Sequence, residues 1–303
     1  MNMGSRERES VITANPSTFS CGRSIIFRAR DYVFPLDARV LIMGILNVTP
    51  DSFSDGGRFL DPQAALDRLF EMAEEGADVI DVGAESTRPG STRVDETEEL
   101  RRLLPLLRAI GHRSPVPLSI DTQKAAVARV ALDHGVAIVN DISALRADAA
   151  MAQLVAESGA GVVLMHMQGE PGTMQQAPKY ADVIQEVKAF LAQRLMMAEQ
   201  AGIQRDQIVL DPGIGFGKNT THNCLLVAHL DAFLELGRPL LIGVSRKTFI
   251  GRILGKPVED RLFGTAGAVA VAVLHGAGIV RVHDVRAMTD VVNVVRALRK
   301  GMS

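Results

Sequence analysis

Residues 116–166 read VPLSIDTQKAAVARVALDHGVAIVNDISALRADAAMAQLVAESGAGVVLMH. Three short apolar, β-branched runs, 116–120, 136–139 and 161–165, are separated by amphipathic stretches rich in Ala and Leu. Strand, helix, strand, helix, strand is the signature of repeated βα units on a parallel sheet. Working outward, the same alternation supplies runs at 40–46 and 78–82 on the N-terminal side, and at 207–210, 239–244 and 278–282 on the C-terminal side. Eight strands alternating with helices predict an α/β fold of the (β/α)8 TIM-barrel kind rather than an open Rossmann-type sheet.

Local punctuation agrees. Asp61 followed by Pro62 reads as an N-cap with Pro at the first helical position, and that helix runs toward Gly76. Asp95 caps another helix, with acidic residues in its first turn. Gly/Pro-rich breaks at 88–90, 171–173 and 211–218 fall just after strands, which makes them βα loops rather than an interdomain linker. The barrel occupies about 36–300. The domain is taken as 25–303, and residues 1–24, polar and without the apolar core of a signal peptide, as a disordered extension.

The chain has 303 residues, which one α/β barrel can fill. Lys plus Arg number 33 and Asp plus Glu 35, a net charge of −2. That even balance leaves no electrostatic footprint for general binding to nucleic acid or to a membrane surface, so small-molecule binding or catalysis moves forward. With 47% apolar residues, 27 Gly and no Trp, the core must be built from Val, Ile, Leu, Ala and Met. The longest apolar run, 266–274, is far shorter than the roughly 20 residues a membrane span needs, and reads as a packed helix. Cys21 and Cys224 give neither a disulfide framework nor metal-ligand spacing, as expected of reduced thiols in a cytoplasmic protein.

In such a barrel, chemistry gathers at the carboxyl ends of the strands. Nearly every run here ends in a polar residue: Asn47, Asp81 with Glu85 to Arg88, Asp121, Asn140 with Asp141, His166, Asp211, Ser245 to Lys247, and Arg281 with His283. A single Asp or Asn at a strand end is more often a turn or helix cap. Jointly they would place acceptors beside Lys247, Arg281 and His283, which suits a nitrogen-rich ring on one side and an anion on the other. The run Gly213-Ile-Gly-Phe-Gly-Lys218 looks like a nucleotide loop but fails both templates. A P-loop would need Gly where Pro212 stands and Ser or Thr where Asn219 stands, and a dinucleotide fingerprint would need Gly at 218.

Five segments carry a resemblance: Leu46-Asn-Val-Thr-Pro-Asp-Ser-Phe-Ser-Asp-Gly-Gly57, Asp81-Val-Gly-Ala-Glu-Ser-Thr-Arg-Pro-Gly90, Leu210-Asp-Pro-Gly-Ile-Gly-Phe-Gly-Lys218, Ser245-Arg-Lys247 and Arg281-Val-His-Asp284. Together, over about residues 40–298, they resemble the dihydropteroate synthase family of bacterial folate synthesis. Ala84 departs from the Gly most often found at that place. The resemblance implies an enzyme with a single barrel, commonly a homodimer through its last helices. It would join 6-hydroxymethyl-7,8-dihydropterin diphosphate to 4-aminobenzoate, release pyrophosphate with Mg²⁺, and be a target of sulfonamides.

By the same resemblance, Asp211 and Asn140 accept from the pterin nitrogens, Lys247 donates to its oxygen or N5, and Ile142, Met165 and Gly243 complete the pterin site. Asn47, Thr87, Arg88, Arg281 and His283 surround the diphosphate, with Asn47 also a Mg²⁺ ligand. Asp121 stabilises the pterin methylene cation left when pyrophosphate departs, and Asp121, Lys247, Arg281 and His283 form the catalytic set. Phe53, Thr87, Arg88, Pro89, Phe216, Lys247 and Ser245 receive 4-aminobenzoate, with Ser245 at a helix start taking the carboxylate. The first two βα loops are implied to be long, mobile and able to close, helped by Gly56, Gly57 and Gly90. From the residues alone, Phe216 reads equally as plain core and Ser245 as a helix cap.

Two rivals share parts of this pattern. A methyltetrahydrofolate-dependent corrinoid methyltransferase barrel would share the Asp/Asn pterin edge, but it has no use for the first loop, Thr87-Arg88-Pro89 or Ser245-Arg246-Lys247. A non-catalytic pterin-binding paralogue would not need every diphosphate-side and aminobenzoate-side residue retained, as they are here.

Overall fold

Runs of Val, Ile and Leu without charges bury both faces and therefore become the central strands of a parallel sheet covered by helices. The computed structural model describes residues 25–37, 39–48, 62–85, 94–110, 113–169, 172–175 and 177–302. Its strands are β1 (Ile26–Ala29), β2 (Tyr32–Pro35), β3 (Leu41–Asn47), β4 (Val79–Gly83), β5 (Leu118–Asp121), β6 (Ile138–Asp141), β7 (Gly161–Met165), β8 (Ile208–Asp211), β9 (Leu241–Ile242) and β10 (Ile279–Val282). The helices are α1 (Pro62–Glu74), α2 (Glu96–Ile110), α3 (Ala125–Asp133), α4 (Ala150–Ser158), α5 (Val183–Gln200), α6 (Thr220–Ala228), α7 (Thr248–Leu254), α8 (Leu262–Leu274) and α9 (Val285–Met302).

Strands β3 to β8 pair in chain order, all parallel, and β3 pairs on its other side with β10, which pairs with β9. A parallel bridge between Leu210 and Leu240, with the Leu210 amide donating to the Pro239 carbonyl at 2.9 Å, joins β8 to β9 and closes the barrel. The eight expected strands are present, most shifted by one or two residues. The expected run 239–244 is reduced to the two residues of β9. Asp95 caps α2 as expected, accepting from the Glu98 amide at 2.8 Å. The apolar run 266–274 is the C-terminal part of α8, which buries Val269, Ala272 and Val273.

The N-terminal hairpin of β1 and β2 went unread in the sequence, where the barrel was taken to begin near residue 36. The two strands pair antiparallel around Arg30 and Asp31. Phe27, Ala29 and Phe34 point inward and cluster with Leu41, Met43, Val79, Ile138, Val163, Val209, Leu241 and Ile279, plugging the amino end of the barrel. The fit is close: a Cβ on Gly161, at the start of β7, would lie 2.6 Å from the Phe27 ring. The Arg30 guanidinium holds the hairpin down by donating to the Leu132 and Val136 carbonyls at 2.7 and 3.0 Å.

A larger apolar layer lies between strands and helices and includes Ile42, Leu46, Leu69, Leu107, Val162, Leu164, Leu191 and Val273. Thus alternate residues of each strand face either the helices or the barrel axis, as the period-2 pleat requires.

Candidate active site

The same period builds the mouth. Two residues beyond the inward-facing apolar floor, β4 carries Asp81, β6 Asn140, β7 Met165, β8 Asp211 and β10 Arg281, and β5 places Asp121 beyond Ser119. In each case a side chain on the barrel axis near the strand's carboxyl end is polar or lies against a polar neighbour.

Arg281 organises one side. Its Nε donates to Asp81 Oδ2 at 2.6 Å, and one terminal nitrogen donates to Asp121 Oδ2 at 2.9 Å. Asn140 Nδ2 donates to the same Asp81 oxygen at 2.9 Å, so Asp81 orients both the guanidinium and the Asn140 amide. Arg281 has further N–H groups, because a guanidinium carries five donors and these contacts use only two. Burial drives the Asp121 pKa upward, Arg281 pulls it down, and the carboxylates of Asp81, Glu99 and Asp141 push it up again. Burial opposes the Arg281 charge, but Asp81 and Asp121 outweigh it and raise its pKa.

Lys247 and Asp211 form the other side. Burial brings the Lys247 pKa down to about 8, with Arg281 adding to that fall and Asp211 and Asp121 resisting it. Asp211 is buried, which raises its pKa against the pull of Lys247 and of the Gly213 amide. That amide donates to Asp211 Oδ1 at 2.7 Å. Lys247 Nζ donates to the Ile214 carbonyl and sits 4.6 Å from the centre of the Phe216 ring, a cation–π contact. Gly243 lies directly below: a Cβ there would come within 3.9 Å of Lys247 Nζ and 4.0 Å of Arg281 Cβ. Ile142, Met165, Met167 and Met174 make a separate apolar cluster against which Phe216 packs. Phe216 is therefore the partly buried edge of an apolar wall under a cation, not plain core.

Ser245 and His283 meet at the ends of β9 and β10. Ser245 Oγ lies 3.0 Å from His283 Nδ1 and accepts from the His283 amide at 3.1 Å. Ser245 does not cap a helix. Helix α7 starts at Thr248 with Lys247 in the N-cap position, so the expectation of Ser245 at a helix start is corrected by three residues. Asn47 ends β3 half-buried and lines one cavity with His283, Arg68, Arg246 and Asp284. Arg246, held at φ 56°, is tied to Asp284 by two hydrogen bonds, with its Nε 2.9 Å from Asp284 Oδ2.

Asp121, Asn140, Ile142, Met165, Asp211, Phe216, Gly243, Ser245, Lys247, Arg281 and His283 thus gather around one end of the barrel. Phe53, Thr87, Arg88 and Pro89 lie outside the described residues, as do Gly56, Gly57, Gly90 and Cys21. Reading the sequence missed the orienting role of Asp81, although its register two places beyond Val79 was a usable signal. It also missed Met167 and Met174 as extensions of the wall, and the burial of Lys218.

The residues fit a magnesium ion only as a shared site. Among the described residues, no cluster of three His, Cys, Asp or Glu could hold a metal. Asn47 offers one neutral oxygen beside a cationic edge. Magnesium bound mainly through phosphate oxygens and water needs no more from a protein than one or two such ligands.

A barrel with these strand-end groups defines a class that holds a polar heterocycle near an anion, and the family model described as pterin binding enzyme matches residues 43–283. The chain belongs to this pterin-binding enzyme family. It is 46% identical over 256 residues to the dihydropteroate synthase of Escherichia coli strain K12, covering 84% of this chain and 90% of that protein. The structure superposes on the Yersinia pestis dihydropteroate synthase with a sulfonamide drug at a TM-score of 0.86 and 41% identity, covering 91% of this chain and 100% of the other. On the Xanthomonas albilineans dihydropteroate synthase with 4-aminobenzoic acid the TM-score is 0.85 at 44% identity, covering 91% and 99%. Within the family this chain falls with the dihydropteroate synthases, which are transferases.

Proposed function

We propose that this chain joins 6-hydroxymethyl-7,8-dihydropterin diphosphate to 4-aminobenzoate, giving 7,8-dihydropteroate and pyrophosphate. One observation carries the reading: buried Asp211 and half-buried Lys247 stand by an apolar wall of Met165, Ile142 and Phe216, with Arg281, held by Asp81 and Asp121, in the same mouth. Asp211 Oδ2 and the Asn140 carbonyl accept from the amino and ring N–H groups of the pterin, and Lys247 donates to its oxygen or N5. The outer N–H groups of Arg281, with His283 and Asn47, receive the diphosphate, and Thr87 and Arg88 assist from the second loop.

The carbon–oxygen bond to the diphosphate breaks with its electron pair leaving on pyrophosphate, and the methylene cation is delocalised into the dihydropterin ring. Asp121 faces that charge as a fixed carboxylate in a water-poor site, where such groups stabilise a developing charge strongly. The arylamine nitrogen of 4-aminobenzoate then forms the new bond and gives its proton to solvent or pyrophosphate. Its ring lies among Phe53, Pro89 and Phe216, and its carboxylate is received near Ser245. Magnesium held by Asn47 and the diphosphate would neutralise charge on the leaving group.

Pyrophosphate release that requires both substrates tests the reading; release with the pterin diphosphate alone, or none at all, would overturn it. Sulfonamides are expected to compete with 4-aminobenzoate and not with the pterin diphosphate.

The proposal includes a second copy of the chain as partner and placement in the cytoplasm. Phe263 is 83% exposed, and Ile253, Leu254 and Leu274 are also exposed. Ile253 and Leu254 line an apolar groove with Val227, Phe249, Ile250 and Val271 of α6 to α8, and Phe263 and Leu274 belong to α8. Exposed free Cys224 lies on the same face. Sedimentation of Phe263→Glu as a monomer beside a dimeric parent would support this docking, and an unchanged state would refute it. Among the described residues no helix is long and apolar enough to cross a membrane.

A further inference from the structure

The glycine-rich run that matches no nucleotide motif forms a turn in which five consecutive carbonyl oxygens are held by side chains. Lys218 Nζ donates to the Gly213 and Phe216 carbonyls, each at 2.9 Å. Lys247 Nζ takes Ile214, Gln175 Nε2 takes Gly215, and the Tyr180 hydroxyl takes Gly217 at 2.8 Å. Of these donors Lys218 alone lies inside the turn, only 2% exposed.

The third direction of its ammonium points at His166 Nδ1, 2.9 Å away. Burial lowers the Lys218 pKa well below the ordinary lysine value against the pull of Asp211; in the ammonium form, with three donors and no acceptor, Lys218 donates to a bare Nδ1 and the imidazole proton sits on Nε2. Burial, reinforced by the charges of Lys218 and Arg146, holds the His166 pKa down to about 2, which keeps the ring neutral. The Phe190 ring meets the imidazole edge-on at 4.8 Å between centres, fixing its plane.

The turn rests directly on the backbone that follows β7. Gly213 and Gly217 have φ of 70° and 62°. A Cβ on Gly213 would fall 1.9 Å from the His166 carbonyl oxygen, and one on Gly217 2.3 Å from that of Gln168. Two parts of the candidate pocket hang from this turn: the Gly213 amide that fixes Asp211 Oδ1, and the Phe216 ring.

We propose that Lys218 and His166 are positioning residues for the pterin site. The Lys218 Nζ ties the 213–216 turn to the end of β7 through His166 Nδ1, and so sets where the Asp211 carboxylate and Phe216 ring stand. The inference rests on the pterin reading of this mouth. Neither side chain is required to touch substrate, and neither lies on the cationic edge formed by Arg281.

Calorimetric titration of the full chain with 6-hydroxymethylpterin, and separately with magnesium pyrophosphate, tests it. Lys218→Met keeps the length of the side chain and removes all three donors. It should weaken pterin binding about tenfold or more while pyrophosphate affinity stays near that of the parent. His166→Asn offers an oxygen close to the place of Nδ1 and should hold pterin affinity within about threefold, whereas His166→Leu should lose it as Lys218→Met does. Parent-like pterin binding by Lys218→Met, or equal loss of both ligands, would overturn the proposal. If Lys218→Met does not fold, the two His166 variants decide: a difference between them supports the tie, and equal pterin affinity refutes it. No pterin binding by the parent protein would remove the reading of the site, and with it this inference.

Discussion

The two ends of the barrel share backbone geometry and differ in chemistry. At the amino end Val79, Ile138, Val163, Val209 and Ile279 close over Phe27, Ala29 and Phe34. Two residues further along the same strands, the inward positions hold Asp81, Asn140, Met165, Asp211 and Arg281. One pleat thus separates a layer whose worth is apolar burial from a layer in which charges are satisfied mainly by one another. The contrast teaches where sensitivity should lie: the floor supports the fold, and the mouth, already held in place by that floor, is open to chemistry.

Phe27→Ala should have the largest effect on stability, a loss of about 3–5 kcal/mol from the cavity it leaves. Activity per folded molecule should stay near that of the parent, measured by denaturant unfolding alongside pyrophosphate release. Equal stability would mean the hairpin is not part of the core, and the division between floor and mouth would fail.

Lys247→Ala is the converse case. Loss of its donor should lower kcat/KM on the order of 10²–10³-fold, as removal of one preorganised donor does elsewhere, with little movement of the thermal midpoint. Loss of the helical circular dichroism signal in that variant would show that Lys247 holds the fold instead.

A subtler difference concerns pH. The Lys247 ammonium is the donating form, and its pKa lies at about 8 in the empty site. Therefore kcat/KM for the pterin diphosphate should fall as pH rises through that value, and fall on the acid side as pH drops through about 7, where the Asp121 carboxylate takes up a proton. Asp211 raises the Lys247 pKa, so Asp211→Asn should move this alkaline limb to lower pH in addition to weakening pterin binding. A limb that stays in place, measured by the pH dependence of kcat/KM, would detach it from Lys247.

The smallest effect is expected from deleting residues 1–24, which lack apolar periodicity and precede the hairpin: kcat/KM should change by no more than about twofold. Extending the deletion through residue 36 removes Phe27, Ala29 and Phe34 and should destabilise the protein. If the shorter deletion already lowers activity tenfold, the tail contributes to the mouth and the comparison needs a third region.

Five of the eight barrel strands were legible to within one residue at either end because buried parallel strands are uninterrupted apolar runs that few other structures produce. β5 and β6 begin two residues later than their runs, at Leu118 and Ile138, and β9 is shorter than its run at both ends. Pro239 has no N–H for the ladder, and Gly243 ends the apolar pairing beneath Lys247 and Arg281. The hairpin escaped notice because Arg28, Arg30 and Asp31 interrupt its apolar residues, and the alternation of Phe27 with Ala29 becomes visible only once the barrel floor is there to receive it. Ser245 could be placed at the mouth but not on a helix, since the seven-residue α7 carries no side-chain cap to mark its start.

By itself the sequence determined the order of βα units, the strand ends at which polar groups emerge, and, through five motifs, the family. These are local properties: a period of two assigns every second residue to the barrel axis, whatever its partners turn out to be. Tertiary structure alone decided those partners. Arg281 meets Asp81 across 200 residues of chain, and Lys218 meets His166 across 52. Such pairings follow from closure of the barrel, which brings the ends of distant strands within hydrogen-bonding distance and makes a buried charge tolerable only where an acceptor has been carried to it.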